Sequence, residues 1–143
     1  MRLRPQLSSL GGISLGFAAI GLSGCMQATQ TYPLVPHADP GVVGSLSVER
    51  IEGGQRLVVL ELSQLPPPER IAPGLTQFVV WFEGPRGKEV KAGMLRYDRT
   101  RRSGNLLATT DLTAFTVRVT GERDRHAVTP SGVLLAERIV VTN

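Results

Sequence analysis

The chain has 143 residues, enough for one domain, and its 41% hydrophobic and 20% charged content exclude a disordered polyelectrolyte. The formal charge of +4 includes Arg2 and Arg4 of the N-terminal segment, so the remainder carries 14 basic and 12 acidic residues. That small, mixed excess argues against nucleic acid as a partner, which calls for a clustered basic face. A single cysteine, Cys25, excludes an intrachain disulfide.

Arg2 and Arg4 precede an apolar run from Leu10 to Leu22 that is shorter than the roughly 20 residues a membrane span needs. Gly11, Gly12, Gly16 and Gly21 weaken it further as a permanent helix, so it reads as an export signal. Leu22-Ser23-Gly24-Cys25 follows and resembles the bacterial lipobox. The resemblance implies cleavage before Cys25, a diacylglycerol thioether on its sulfur and an N-acyl chain on the new terminus. Several acyl chains give stable anchoring where one does not. The expected partner is therefore a membrane, and the expected location is the cell envelope. Met26 stands where an Asp commonly retains such proteins at the inner membrane, so the outer membrane is favoured.

Residues 25–40 read as a lipidated tether with Pro33, Pro36 and Pro40, on which Tyr32, Leu34 and Val35 are placed to dock. Residues 41–143 read as the folded domain. Leu46 and Val48 alternate with polar residues in a first strand, and Glu52-Gly53-Gly54 makes a turn. Val58, Leu60 and Leu62 mark a second strand. Leu65 to Gly74, with three successive prolines, reads as a stiff crossover between sheets. Phe78 to Phe82, apolar at every position, is expected to be a central strand around a buried Trp81. Glu83 and Glu89 flank the next turn and can approach each other. A fourth strand is expected over Val90–Tyr97 with Gly93 marking a bulge, and a turn at Ser103-Gly104-Asn105 before a fifth over Leu106–Thr109. Phe115, Val117 and Val119 carry the clearest period-two pattern, and Gly132 to Val141 supplies the last strand. Seven strands and no 3.6-residue apolar stripe point to an all-β, antiparallel, immunoglobulin-like sandwich. A small barrel is the alternative.

The chain offers no nucleophile elbow, no phosphate loop and no metal-ligand spacing around His37 or His126. No enzyme activity, metal or cofactor is expected beyond the lipid on Cys25. The candidate partner-contact residues are Arg96, Arg99, Arg101 and Arg102 on one hairpin, and Arg123 and Arg125 in a later loop. These two segments are treated as separate surfaces. The expected role is a non-catalytic interaction or sensing module that meets another envelope protein. A small-ligand or glycan carrier and a small hydrolase are the alternatives.

Several segments in order resemble the C-terminal extracytoplasmic domain of the anti-sigma-K-factor family. They are Leu65-Pro66-Pro67, Phe78-Val79-Val80-Trp81, Ala92-Gly93-Met94-Leu95, Phe115 to Thr120 followed by Gly121 and Glu122, and Thr129-Pro130. The likeness covers about Leu60 to Val141 and implies a β-sandwich with a sensing or partner-binding role. Arg123-Asp124-Arg125-His126 replaces the family's glycine-rich turn. The family's sigma-binding region and transmembrane helix have no counterpart, so sigma-factor inhibition does not carry over.

Overall fold

The computed structural model describes residues 28–143; Cys25 and the expected export segment lie outside them. Two five-stranded antiparallel sheets pack face to face. One sheet runs β1 (Gln30–Pro33), β3 (Val43–Arg50), β4 (Arg56–Ser63), β8 (Ser103–Thr110), β7 (Arg96–Asp98). The other runs β2 (Val35–Pro36), β10 (Val133–Val141), β9 (Ala114–Glu122), β5 (Gln77–Glu83), β6 (Glu89–Met94). The order β10-β9-β5-β6 faces an order in which β4 pairs with β8 and β8 with β7, the immunoglobulin-like arrangement. β3 is an additional strand inserted between β1 and β4.

Period-two patterning decides what faces inward. Leu46 pairs with Leu60 and Val48 with Val58, and all four are buried. Across the core, Phe82 pairs with Val117 and Val80 with Val119, also buried. Phe82 and Phe115 tilt together at 5.3 Å between ring centroids, and Phe78 meets Tyr97 edge to face at 5.1 Å. β5 lies between β9 and β6, as its doubly apolar sequence requires.

Three boundaries differ from the sequence expectations. Residues 30–36, expected within a tether, are strands: Tyr32 pairs with Leu46 in one sheet, and Val35 with Glu137 in the other. Leu34, 7% exposed, turns inward between them, and Gly44 gives it room, since a Cβ there would lie 2.6 Å from Leu34 Cδ1. The short 30–36 run therefore closes an edge of both sheets. The expected strand 90–97 divides into β6 and β7 because the chain changes sheet at buried Leu95, whose N–H donates to Phe78 O at 2.9 Å. Ser103 to Asn105 belongs to β8, and the turn falls at residues 99–102, where Asp98 Oδ1 accepts from the N–H groups of Thr100 and Arg101 at 3.0 Å. A carboxylate accepting from two successive amides stabilises that turn better than Ser-Gly-Asn would.

Removing β1 and β2 exposes the Leu34 site, and burying one leucine is worth about 1.5–3 kcal/mol. A fragment 41–143 is expected to unfold at least about 2 kcal/mol more easily than 28–143 in urea. Equal midpoints and slopes would show that residues 28–40 contribute nothing to the fold.

Candidate functional site

The strand directions give the sandwich two distinct ends. β4, β7 and β9 finish, and β5, β8 and β10 begin, at one of them. The β4–β5 crossover, the β7–β8 turn and the β9–β10 loop therefore emerge together. The crossover begins with extended Pro67, at φ −55° and ψ 146°, and then makes the single helical turn α1 (Pro68–Ile71). Three prolines favour the first conformation, and Pro68 at the first helical position permits the second.

Both loops grip this crossover. On one side Leu65 N–H donates to Arg102 O at 2.8 Å, Tyr97 Oη donates to Leu65 O at 2.7 Å, and an Arg102 Nη donates to Gln64 O at 3.3 Å. Arg99 forms an ion pair with Glu69 beside α1. On the other side Arg123 donates to Pro73 O at 3.3 Å, and Thr76 Oγ1 donates to Arg123 O at 3.0 Å. The two segments that the sequence left as separate candidates thus share one end, with the crossover between them.

Arg96, Arg99, Arg101, Arg102, Arg123 and Arg125 are all exposed there, and Arg70 on α1 joins them. The sequence reading missed Arg70, because nothing local links α1 to a turn about 30 residues later. Seven arginines face only Glu69, Asp98 and Asp124 in these three segments, a net of +4. The other described residues hold seven basic and nine acidic side chains, a net of −2. Arg99 with Glu69 and Arg101 with Asp98 are the ion pairs of this end among the described residues. A hydrogen bond from Arg99, helped by its charge, holds the Glu69 carboxyl below its usual range and raises Arg99 above its own. Arg70, Arg99 and Arg102 line a groove of about 560 Å³ floored by Pro66 and Pro67. Among the described residues the two non-glycine positions with positive φ, Gln64 at 56° and Arg102 at 51°, meet at this groove. A left-handed L-residue costs about 1–2 kcal/mol.

A buried polar chain fixes the β9–β10 loop. Trp81 points away from the inter-sheet core, yet is fully buried, because this loop lies over its face of the sheet. Trp81 Nε1 donates to Thr120 Oγ1 at 2.8 Å, and Thr120 Oγ1 donates to Glu122 Oε1 at 2.6 Å. Ser131 donates to the same carboxylate from its N–H at 3.1 Å and its Oγ at 2.9 Å. Lys91 Nζ holds the loop's other side through Arg125 O at 2.9 Å. A buried indole offers no surface for stacking a ligand.

Further along the same face, Arg118 gathers Glu83, Glu89 and Glu137, and His37 Nε2 lies 3.2 Å from Glu137. Glu83 and Glu89 are direct cross-strand partners, as their flanking of one turn suggested. Burial pulls Arg118 down, but hydrogen bonds to Glu89 and Glu137 and the charges of Glu83 and Glu89 outweigh it and leave its pKa raised. One guanidinium thus pairs with three carboxylates on a half-exposed sheet face, hydrogen-bonding Glu89 and Glu137. Among the described residues no group of His, Cys, Asp and Glu is disposed to hold a metal ion, and no helix is long and apolar enough to cross a membrane.

The fold and its charged end define an all-β sandwich domain with a basic pole. Comparison with protein-family models, curated proteins and solved structures gives no match for this chain.

Two measurements check this architecture. Glu122→Ala leaves the buried Thr120 hydroxyl without its acceptor, and an unsatisfied buried group costs about 1–3 kcal/mol. The variant is expected to lose about 1–3 kcal/mol in urea and, with Ser131 released, to be cut faster by trypsin after Arg123 and Arg125; unchanged cleavage would detach the network from the loop. Burial raises the Tyr97 hydroxyl above 10, with Arg102 and Arg99 opposing. For this raised acid, the unfolded chain releases its proton first as pH rises. Its contribution to stability is therefore complete below about pH 10 and is lost through the alkaline range above it. In a spectrophotometric titration a tyrosine step raised above the usual phenol range should vanish in Tyr97→Phe; its persistence in that variant would sink the assignment.

Proposed function

We propose that this chain is a lipid-anchored envelope lipoprotein whose sandwich is a non-catalytic interaction module. The observation that carries this reading is the placement of the chain's entry relative to its basic end. Ala28, the first described residue, lies beside Arg50, Arg56, Thr142 and Asn143. That is the end where β3 and β10 finish, opposite the three arginine-bearing segments. β4 runs between the two ends over eight residues, about 26 Å at 3.3 Å per residue. Three peptide units separate Cys25 from Ala28, a reach of at most about 10 Å. Because β1 is tied into its sheet from Gln30, an anchor at Cys25 holds one end of the domain near its bilayer and directs the arginine end outward.

This arrangement suits capture of another envelope component. An anchor fixes location, and a rigid β-domain sets the height at which the basic groove is presented. The outer membrane remains the favoured site from Met26. The resemblance to an extracytoplasmic sensing domain agrees with a role in contact rather than chemistry.

Mass spectrometry of the protein from its native host is expected to find the mature N-terminus at Cys25, carrying diacylglycerol and an N-acyl chain, and to find neither in Cys25→Ala. An unmodified N-terminus elsewhere in the wild type would end the anchor reading. The double change Arg101→Glu and Arg102→Glu should abolish crosslinking to the envelope partner in intact cells while leaving the melting curve near that of the wild type. Crosslinks retained by that variant would remove the arginine end from the contact.

A further inference from the structure

We infer that the groove between α1 and the β7–β8 turn binds a carboxylated glycan, using Arg70, Arg99 and Arg102 over a Pro66–Pro67 floor. The inference deepens the interaction reading by naming the chemistry that this end selects.

Three observations converge on it. First, every Lys or Arg in the three segments is an arginine; Lys88 and Lys91 belong to other segments, and Lys91 Nζ is spent on the β9–β10 backbone away from the groove. Arginine presents a planar fork of donors that fits carboxylates in pairs, whereas lysine acts as a point charge. Second, one arginine of the groove already holds a carboxylate: Glu69, from the same chain, sits on Arg99. That pair is exposed, so it is weak and open to exchange with an incoming carboxylate. Arg102 is held by the Gln64 carbonyl, which orients its fork without neutralising it, and Arg70 has no ion pair among the described residues. Third, none of the exposed large apolar side chains lines the groove; Val43, Val128, Leu107 and the others lie outside it. A protein partner is usually anchored by a desolvated apolar or aromatic centre, which this groove lacks. A hydrophilic polyanion needs none. At about 560 Å³ the groove suits one or two sugar units, and Arg96, Arg101, Arg123 and Arg125 extend the positive field along a longer chain. Glycan rather than bilayer is favoured because the anchored end is the opposite one; this step alone rests on the lipid anchor proposed above.

The test uses the full chain, expressed and processed in cells and purified in neutral detergent. Binding of fluorescent oligogalacturonate is measured beside neutral dextran, polyglutamate and phosphatidylglycerol vesicles. Oligogalacturonate should bind, dextran should not, and binding should fall steeply between 0.05 and 0.5 M salt, as screening shortens to a few ångströms, about 3 Å at 1 M. Replacing Arg70, Arg99 and Arg102 together by Gln should weaken it by about tenfold or more. Glu69→Gln, which frees Arg99, should strengthen it by about threefold, and this gain needs no loss of fold to interpret. Wild-type affinity in the triple variant, no gain in Glu69→Gln, or tighter binding to polyglutamate or vesicles would overturn the inference. The anchor reading fails separately, through an unmodified N-terminus, whatever the glycan result.

Discussion

Between Ser63 and Gln77 the chain must leave one sheet and enter the other, and the ordered end of the sandwich depends on how that crossover is held. Its backbone groups cannot join a ladder, so they need other partners. The β7–β8 turn supplies the Arg102 carbonyl and the Tyr97 hydroxyl to Leu65, and the β9–β10 side supplies the Glu122 carbonyl to Thr76. A segment of three prolines keeps the connection stiff between these grips. The arginines of three separate segments become one surface because each segment is fastened to the same strip of chain.

The buried chain from Trp81 through Thr120 to Glu122 and Ser131 does for the β9–β10 loop what the crossover does for the hairpin. A carboxylate with no exposure is tolerable only when its oxygens are met by donors, and here three donors meet it. The network converts a polar loop into a lid over an apolar indole. It thereby extends the hydrophobic interior to a sheet face that would otherwise be wet. The Arg118 cluster treats the rest of that face differently, keeping it hydrated and charged with one cation among three carboxylates.

Charge segregation is the property that separates this domain from a neutral sandwich. A net of +4 on three adjoining segments, against −2 on the other described residues, gives the domain a direction that its overall charge conceals. Ala28, where the described chain enters the sandwich, lies at the opposite end, so entry and basic pole sit at the two ends of the strands. A field of this kind steers and selects charged partners more than it adds affinity.

The sequence by itself determined the strands of the core and which of their residues face inward. Val58-Leu60-Leu62 and Phe115-Val117-Val119 are buried as their alternation required, because side-chain direction in a strand is a local property with a period of two. It also marked the crossover, the approach of Glu83 to Glu89, and six of the seven arginines. Tertiary structure alone decided the rest, since each remaining feature joins residues far apart in the chain. Residues 30–36 look like a tether because a four-residue and a two-residue strand carry almost no periodicity; only β3 and β10 give them partners. Strand 90–97 divides because Leu95 finds its place in the core at the boundary between sheets. Trp81 was expected to be buried for its apolar neighbours, but it is buried by a polar loop some 45 residues later, which no local pattern encodes. Arg70 belongs with Arg99 and Arg102 for the same reason: a binding surface is made of neighbours in space, and sequence spacing reports neighbours only along a strand or a turn.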